Sequence, residues 1–276
     1  MSLKFEKLKP AIGAKVYLDR SQIGDAEVSQ ELLALLEEHT VLVFPKIGLS
    51  DSEQLALTDS LGARVNVSAL VPGRADSAAI YQVTLNKDAH IEPEYVWGTF
   101  FWHMDGLTVN VPPPKATILS ARTLSSKGGQ TEFASTRTAY EALTDEEKSE
   151  LKNIRVIHTA TAAVREVAPP EALDDARRAL RHEHPLIWTR SNGKKSLIIG
   201  YTGDQVVGMN QAEGRALLAR LLEWTAQPAF SYRHHWQEGD CVMWDNTCAL
   251  HRVLPYGENS GRMMHRTTVA GVEAVV

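Results

Sequence analysis

His103-Met104-Asp105 places an imidazole and a carboxylate two positions apart. On an extended segment, residues i and i+2 project from the same face, so both side chains can reach one point. An N,O donor pair of this kind suits a divalent transition metal, and a second histidine from far along the chain would complete a three-donor face with open positions opposite. His251 is the candidate, because it follows the turn-and-strand run Gly239-Asp240-Cys241-Val242-Met243-Trp244-Asp245-Asn246. Beyond it, Arg262-Met263-Met264-His265-Arg266 reads as a strand whose period of two sets Arg262, Met264 and Arg266 on one face and His265 on the other. Two guanidiniums on an inward face are costly unless they meet anions, and arginine's fork matches a carboxylate at two points. Between these segments, Gly128-Gly129-Gln130-Thr131 offers a flexible turn followed by a hydroxyl. Each motif alone has an ordinary alternative: a solvated strand for His-x-Asp, surface ion pairs for the arginines, a hairpin turn for Gly-Gly-x-Thr.

The other histidines carry weaker patterns. His182-Glu183-His184 has ligand-like spacing, but it follows an expected helix, runs into Pro185 and has no third partner. His234 and His235 fall on opposite faces of a strand. His158 lies on an apolar strand, where it lines the site or fills the core. Cys241 and Cys248 lack the spacing of a zinc site.

The elements that must position these groups are mixed. Residues 27–39 put Val28, Leu32, Leu33, Leu35 and Leu36 on one side of a helix, with Ser29 as its expected cap. Val41-Leu42-Val43-Phe44 reads as a buried strand stopped by Pro45, and Ser50-Asp51-Ser52-Glu53 opens a second helix ending near Gly62. A strand is expected around Ile80–Thr84 and a long loop from Asn86 to Gly98. Further strands are expected at 116–124, 154–159, 186–190, 196–201, 230–236, 240–245 and 263–270. Helices are expected at 137–152, 170–182 and 211–226, the last with Leu217, Leu218, Leu221, Leu222 and Trp224 on a broad apolar face. Many short strands with helical insertions point to a mainly β architecture, a double-stranded β-helix (jelly roll) flanked by helices. The alternative, a doubly wound sheet, lacks a glycine-rich strand-to-helix turn. No repeat or linker divides residues 1–276, so one domain is expected.

Composition narrows the class without naming the chemistry. A hydrophobic fraction of 43% and a charged fraction of 23% exclude a disordered chain. A formal net charge of −5 gives no general reason to bind nucleic acid or an anionic membrane. Two cysteines cannot build a disulfide framework, which favours a reducing cytoplasm. The opening Met-Ser-Leu-Lys-Phe-Glu has no apolar run of signal length, and nothing approaches the ~18 apolar residues that span a bilayer. The expectation is a soluble, cytoplasmic protein.

Together the chemistry-bearing residues resemble the Fe(II)- and 2-oxoglutarate-dependent dioxygenases of the taurine dioxygenase type, a family that includes aryloxyalkanoate and alkylsulfate dioxygenases. The family's ordered pattern of His-x-Asp, Thr or Ser, distal His and then Arg reads here as His103, Asp105, Thr131, His251 and Arg262. The neighbouring words Trp102-His103-Met104-Asp105, Pro112-Pro113-Pro114-Lys115-Ala116, Trp244-Asp245-Asn246 and Arg262-Met263-Met264-His265-Arg266-Thr267-Thr268 match as well. The resemblance runs from the Leu42–Pro45 strand to Gly271. It implies that His103, Asp105 and His251 hold Fe(II), and that Arg262 and Thr131 grip the far carboxylate of 2-oxoglutarate. O2 is then consumed, succinate and CO2 are released, and a substrate carbon is hydroxylated.

Arg266 occupies the family's second arginine position and is expected to meet the anionic end of a small substrate. Thr99 stands where taurine dioxygenase has an asparagine, and Asn66-Val67-Ser68-Ala69 lacks the histidine that helps hold the sulfonate, so taurine is disfavoured. The aromatic run Tyr95-Val96-Trp97-Gly98, continuing through Phe100-Phe101-Trp102, suits a bulkier body, with Thr99 and Phe101 beside it; core packing is its other reading. An aryloxyalkanoate, sulfonate or sulfate ester is expected. A biosynthetic oxidation on the same scaffold and a binding protein without turnover are the alternatives. Relatives of this type are commonly dimers or tetramers.

Overall fold

All four residues of Val41–Phe44 are buried, because the strand is covered on both sides. Leu42 and Phe44 pack against Leu32, Leu35, Leu36 and Leu57 of two helices, whereas Val41 and Val43 pack against Phe133, Trp244 and Ala249. The computed structural model describes residues 3–65, 80–86 and 93–276. Among them, a seven-stranded sheet runs in the order Lys4–Lys7, Ala14–Tyr17, Val41–Phe44, Cys241–Asp245, Ala116–Thr123, Met263–Val269, Tyr81–Val83. Its pairings are antiparallel except the parallel contact between Ala14–Tyr17 and Val41–Phe44. A three-stranded antiparallel sheet, ordered Ser231–His234, Thr131–Ser135, Ala249–Val253, faces it across the core that contains Phe133, Trp244 and Met264.

The Met263–Val269 strand bears out the period-two reading. Met264 joins the core between the sheets, while His265 turns outward, where its Nδ1 lies 2.7 Å from an Asp51 carboxylate oxygen on the outer helix. Arg262 lies just before this strand rather than on it.

Helix Ala26–His39 starts earlier than expected, and its cap is Asp25, whose carboxylate accepts from the Glu27 and Val28 N–H groups. Ser29 lies a turn inside, donating to the Asp25 carbonyl and meeting Ser60. Helix Asp51–Leu61 begins with the Ser50/Glu53 capping box and ends at Gly62, as expected. The 137–152 stretch divides into Thr136–Glu141 and Asp145–Leu151, because Thr144 and Glu147 form a second capping box in its middle. The 170–182 helix does not form. A 3-10 turn at Pro170–Ala172 and a short helix at Asp175–Arg178 lead into strand Arg181–Pro185, which finds its partner in Arg155–Thr159. The strand expected at 196–201 stops at Leu197. Within the expected 86–98 loop, Pro93–Gly98 is helical, whereas 87–92, Asn66-Val67-Ser68-Ala69 and the Tyr95 side chain lie outside the described residues. No helix among the described residues is long and apolar enough to cross a membrane.

His158 and His184 turn out to be core histidines. His158 Nδ1 pairs with the Thr202 hydroxyl at 2.7 Å, and His184 Nε2 donates to the Leu107 carbonyl at 3.0 Å. Burial pushes His158 down to about 3 and His184 down to about 4. In the unfolded chain both would titrate near the usual value of about 6.5. Between those values the unfolded state binds protons that the folded state refuses, so stability is full above pH 6.5 and falls as the pH drops toward 4. The expected loss at pH 5 is about 2 kcal/mol for each histidine. Thermal melts at pH 7 and pH 5 check this, and an unchanged Tm would contradict it.

Candidate active site

Two segments that are far apart in sequence meet here as a backbone pair. The His103 N–H donates to the His251 carbonyl at 3.1 Å, and the His251 N–H returns the bond to the His103 carbonyl at 2.9 Å. Residues opposed in this way send their side chains to one face, and the two imidazole centroids are 4.1 Å apart. His251 lies opposite Phe133 in the three-stranded sheet and packs against the Trp244 ring at 4.7 Å.

Hydrogen bonds select which atom of His103 and of Asp105 faces inward, whereas His251 Nδ1 is buried without a partner at hydrogen-bond geometry. His103 Nδ1 donates to the Phe101 carbonyl at 2.8 Å, which leaves Nε2 as the free nitrogen. Asp105 Oδ2 accepts from Arg266 Nη2 at 2.6 Å and from the Thr117 hydroxyl at 3.1 Å. Thr117 is aimed in turn by the Asn246 amide at 2.9 Å. Asp105 Oδ1 is therefore the open oxygen, and it faces His251 Nε2 at 3.8 Å.

One donor atom from each of His103, Asp105 and His251 lies within 4.8 Å of the others. Burial lowers the pKa of His103, with Asp105 opposing, and holds His251 well below its usual value, helped by the neighbouring His103. Burial would raise Asp105, but Arg266, His251, His103 and the Thr117 hydroxyl outweigh it and hold the carboxyl near 2. Two neutral imidazoles and one carboxylate, each with its second polar atom turned away, fit a divalent transition ion.

The second part of the site begins at the glycine turn. Gly128 has φ +72°, and a Cβ there would stand 1.9 Å from the Pro255 carbonyl oxygen. Gly128→Ala is expected to cost about 2 kcal/mol, read as a lower urea midpoint, since an L side chain is strained at that φ before any clash is counted. An unshifted midpoint would show that the turn tolerates a side chain. Thr131 opens the strand after this turn, and its hydroxyl oxygen accepts from Trp236 Nε1 at 2.9 Å, so the hydroxyl proton is free to donate elsewhere.

Arg262 is only 3% exposed. Its Nη2 donates to the Gly129 carbonyl at 3.3 Å, its guanidinium stacks 4.7 Å over the Tyr256 ring, and its Nε has no partner. Among the described residues no carboxylate pairs with it. Burial lowers its pKa, with Tyr256 opposing. A cation buried without a counter-ion is a site for an anion, and the carboxylate of a 2-oxo acid matches its fork.

Of the residues expected to meet substrate, Arg266 lies against Asp105 with 22% of its side chain exposed. The Phe101 ring stacks on Tyr201 at 4.3 Å, nearly parallel, while its carbonyl holds His103. Thr99 donates its hydroxyl proton to the Val96 carbonyl at 2.6 Å, leaving only the oxygen lone pairs for a ligand. Thr117, Trp236, Tyr201 and Tyr256 were not singled out by their sequence context. Only Thr117 had a signal, lying next to the Pro112-Pro113-Pro114-Lys115-Ala116 word.

The model of the "Taurine catabolism dioxygenase TauD, TfdA family" matches residues 4–268. The chain is 36% identical over 97% of its length to an alpha-ketoglutarate-dependent 2,4-dichlorophenoxyacetate dioxygenase from Cupriavidus pinatubonensis, of which 98% is covered. It is 30% identical over 98% of its length to an alkylsulfatase from Acinetobacter baylyi, of which 85% is covered. The crystal structure of AAD-2 in complex with Mn(II) and N-oxalylglycine superposes with a TM-score of 0.85 at 29% identity, covering all of both chains. The match spans the His–Asp–His triad and the buried arginine alike: the chain belongs to the TauD, TfdA family and is a 2-oxoglutarate-dependent dioxygenase.

Proposed function

We propose that this dioxygenase hydroxylates a small organic anion of the aryloxyalkanoate, sulfonate or sulfate ester class. The observation that carries the reading is the second guanidinium: Arg266 stands against Asp105 at 2.6 Å and is partly exposed, ready to receive the substrate's anionic end beside the reacting centre. The stacked Phe101 and Tyr201 rings offer an apolar wall for an aromatic or alkyl body, and Thr99 is assigned to the same substrate side by its place in the aromatic run. Relatives named for 2,4-dichlorophenoxyacetate and as an alkylsulfatase support the same class.

In this reading His103 Nε2, Asp105 Oδ1 and His251 Nε2 hold Fe(II), and Arg262 with the Thr131 hydroxyl grips the far carboxylate of 2-oxoglutarate. When bound, Fe(II) supplies the oxidation of a substrate C–H bond by O2, coupled to conversion of 2-oxoglutarate to succinate and CO2. The protein's part is position. Phe101 and Thr117 orient ligand atoms, Trp236 aims the Thr131 proton, and Arg266 sets which carbon faces the centre. Hydroxylation of a carbon next to an ether or ester oxygen gives a hemiacetal-like product that collapses, so an aryloxyacetate would leave as a phenol and glyoxylate. The same reading takes 1–276 as one domain with a double-stranded β-helix core, working in the cytoplasm as a homo-oligomer.

The test is succinate release with Fe(II) and 2-oxoglutarate across aryloxyacetates, alkyl sulfates and taurine. Stimulation by the first two classes, with phenol or alcohol appearing alongside succinate, is expected. A panel in which no anion raises succinate above the substrate-free rate would overturn the reading.

A further inference from the structure

Tyr256 is 8% exposed, and its Oη is buried without a partner at hydrogen-bond geometry. The phenol belongs to a small apolar cluster with Leu85, Val96 and Val253, and it meets Phe100 edge-on at 5.8 Å. Its ring lies under the Arg262 guanidinium at 4.7 Å, and the two groups are close enough to shift each other's pKa. A guanidinium consists only of donors, so it offers the phenol proton no acceptor. The phenol oxygen is an acceptor to which the neighbouring guanidinium can turn, but among the described residues the Tyr256 O–H proton has no acceptor and the Arg262 Nε–H makes no well-formed bond. Leaving such groups unsatisfied is costly, and an acceptor-only carboxylate would satisfy both.

We infer that Tyr256 Oη is a third donor to the far carboxylate of 2-oxoglutarate, alongside Arg262 and Thr131, and so helps this protein choose a 2-oxo diacid over a 2-oxo monoacid. The inference rests on the reading of Arg262 and Thr131 given above. Arg262 supplies charge and Thr131 closes one side through the proton freed by Trp236, while Tyr256 lies against the guanidinium face. A pocket built to hydrogen-bond a polar group discriminates against ligands lacking it more sharply than an apolar pocket does.

The experiment uses the Tyr256→Phe variant, which keeps the ring beneath Arg262 and removes only the hydroxyl. Calorimetric titration of 2-oxoglutarate into the Mn(II)-loaded protein needs no turnover and no known substrate. The variant is expected to bind 2-oxoglutarate roughly tenfold more weakly than wild type, the value of one hydrogen bond to a charged group, with its affinity for Mn(II) alone unchanged. Equal 2-oxoglutarate affinity in the two proteins would overturn the assignment. So would a matching loss of Mn(II) affinity, which would mark a general disturbance of the pocket. Failure of the wild type itself to bind 2-oxoglutarate would instead bring down the reading of Arg262 and Thr131, and this assignment with it.

Discussion

His251→Ala is expected to abolish 2-oxoglutarate turnover and to weaken Fe(II) or Mn(II) binding by more than about 100-fold. Removing partners that merely orient a ligand already costs roughly 10- to 100-fold, and this change removes a donor outright. The fold should survive. The backbone bonds between residues 103 and 251 use only main-chain atoms, and the strand pairing of Ala249–Val253 with Thr131–Ser135 needs no imidazole. Metal titration, succinate release and circular dichroism together check the result. Wild-type metal affinity in the variant would show that His251 is not a ligand, and a collapsed spectrum would show that the ring holds up the core instead.

Arg262→Met is expected to move two properties in opposite directions. Truncating one side of a buried charge pair costs about 2–5 kcal/mol of binding, so 2-oxoglutarate affinity should fall by roughly 30-fold or more. The protein without co-substrate should become more stable, by about 1 kcal/mol or more, because an apolar side chain, shorter by the guanidinium, replaces a cation that no carboxylate among the described residues pairs. Calorimetry and thermal melts read the two effects separately. Unchanged 2-oxoglutarate affinity would remove Arg262 from the site. A large drop in Tm would mean that its bond to the Gly129 carbonyl and its stacking on Tyr256 matter more than its charge.

The candidate triad of His103, Asp105 and His251 was legible in the sequence because coordination demands particular residue types, although the segment is extended only as far as the His103 bridge and Asp105 falls in the turn that follows. Arg262 was legible for a related reason, since arginine on an inward face calls for an anion. Thr117, Trp236 and Tyr256 were not, because a lone threonine, tryptophan or tyrosine has no spacing rule. Thr117 reaches Asp105 only because strand register sets it beside Trp244 and the following Asn246. Trp236 reaches Thr131 because Ser231–His234 lies alongside Thr131–Ser135.

The same division runs through the fold. The Ser50/Glu53 capping box fixes a helix start within four residues, and the helix at Gln211–Ala226 formed as expected behind its Asn210 cap. Residues 170–182 combine good helix formers, yet Arg181–Pro185 becomes a strand because Arg155–Thr159 offers it an edge. That contact is invisible to local propensity.

The reciprocal bonds between His103 and His251 also decide where the energy of metal capture goes. In a zinc finger the ion must organise the chain that binds it, and its affinity is largely spent as folding energy. Here strand pairing has already brought two of the three donors into register, so an arriving ion meets little ordering cost. If the three side chains hold an ion as proposed, the centre is expected to act as a socket, with one ion leaving and another taking its place while the surrounding sheets keep their shape.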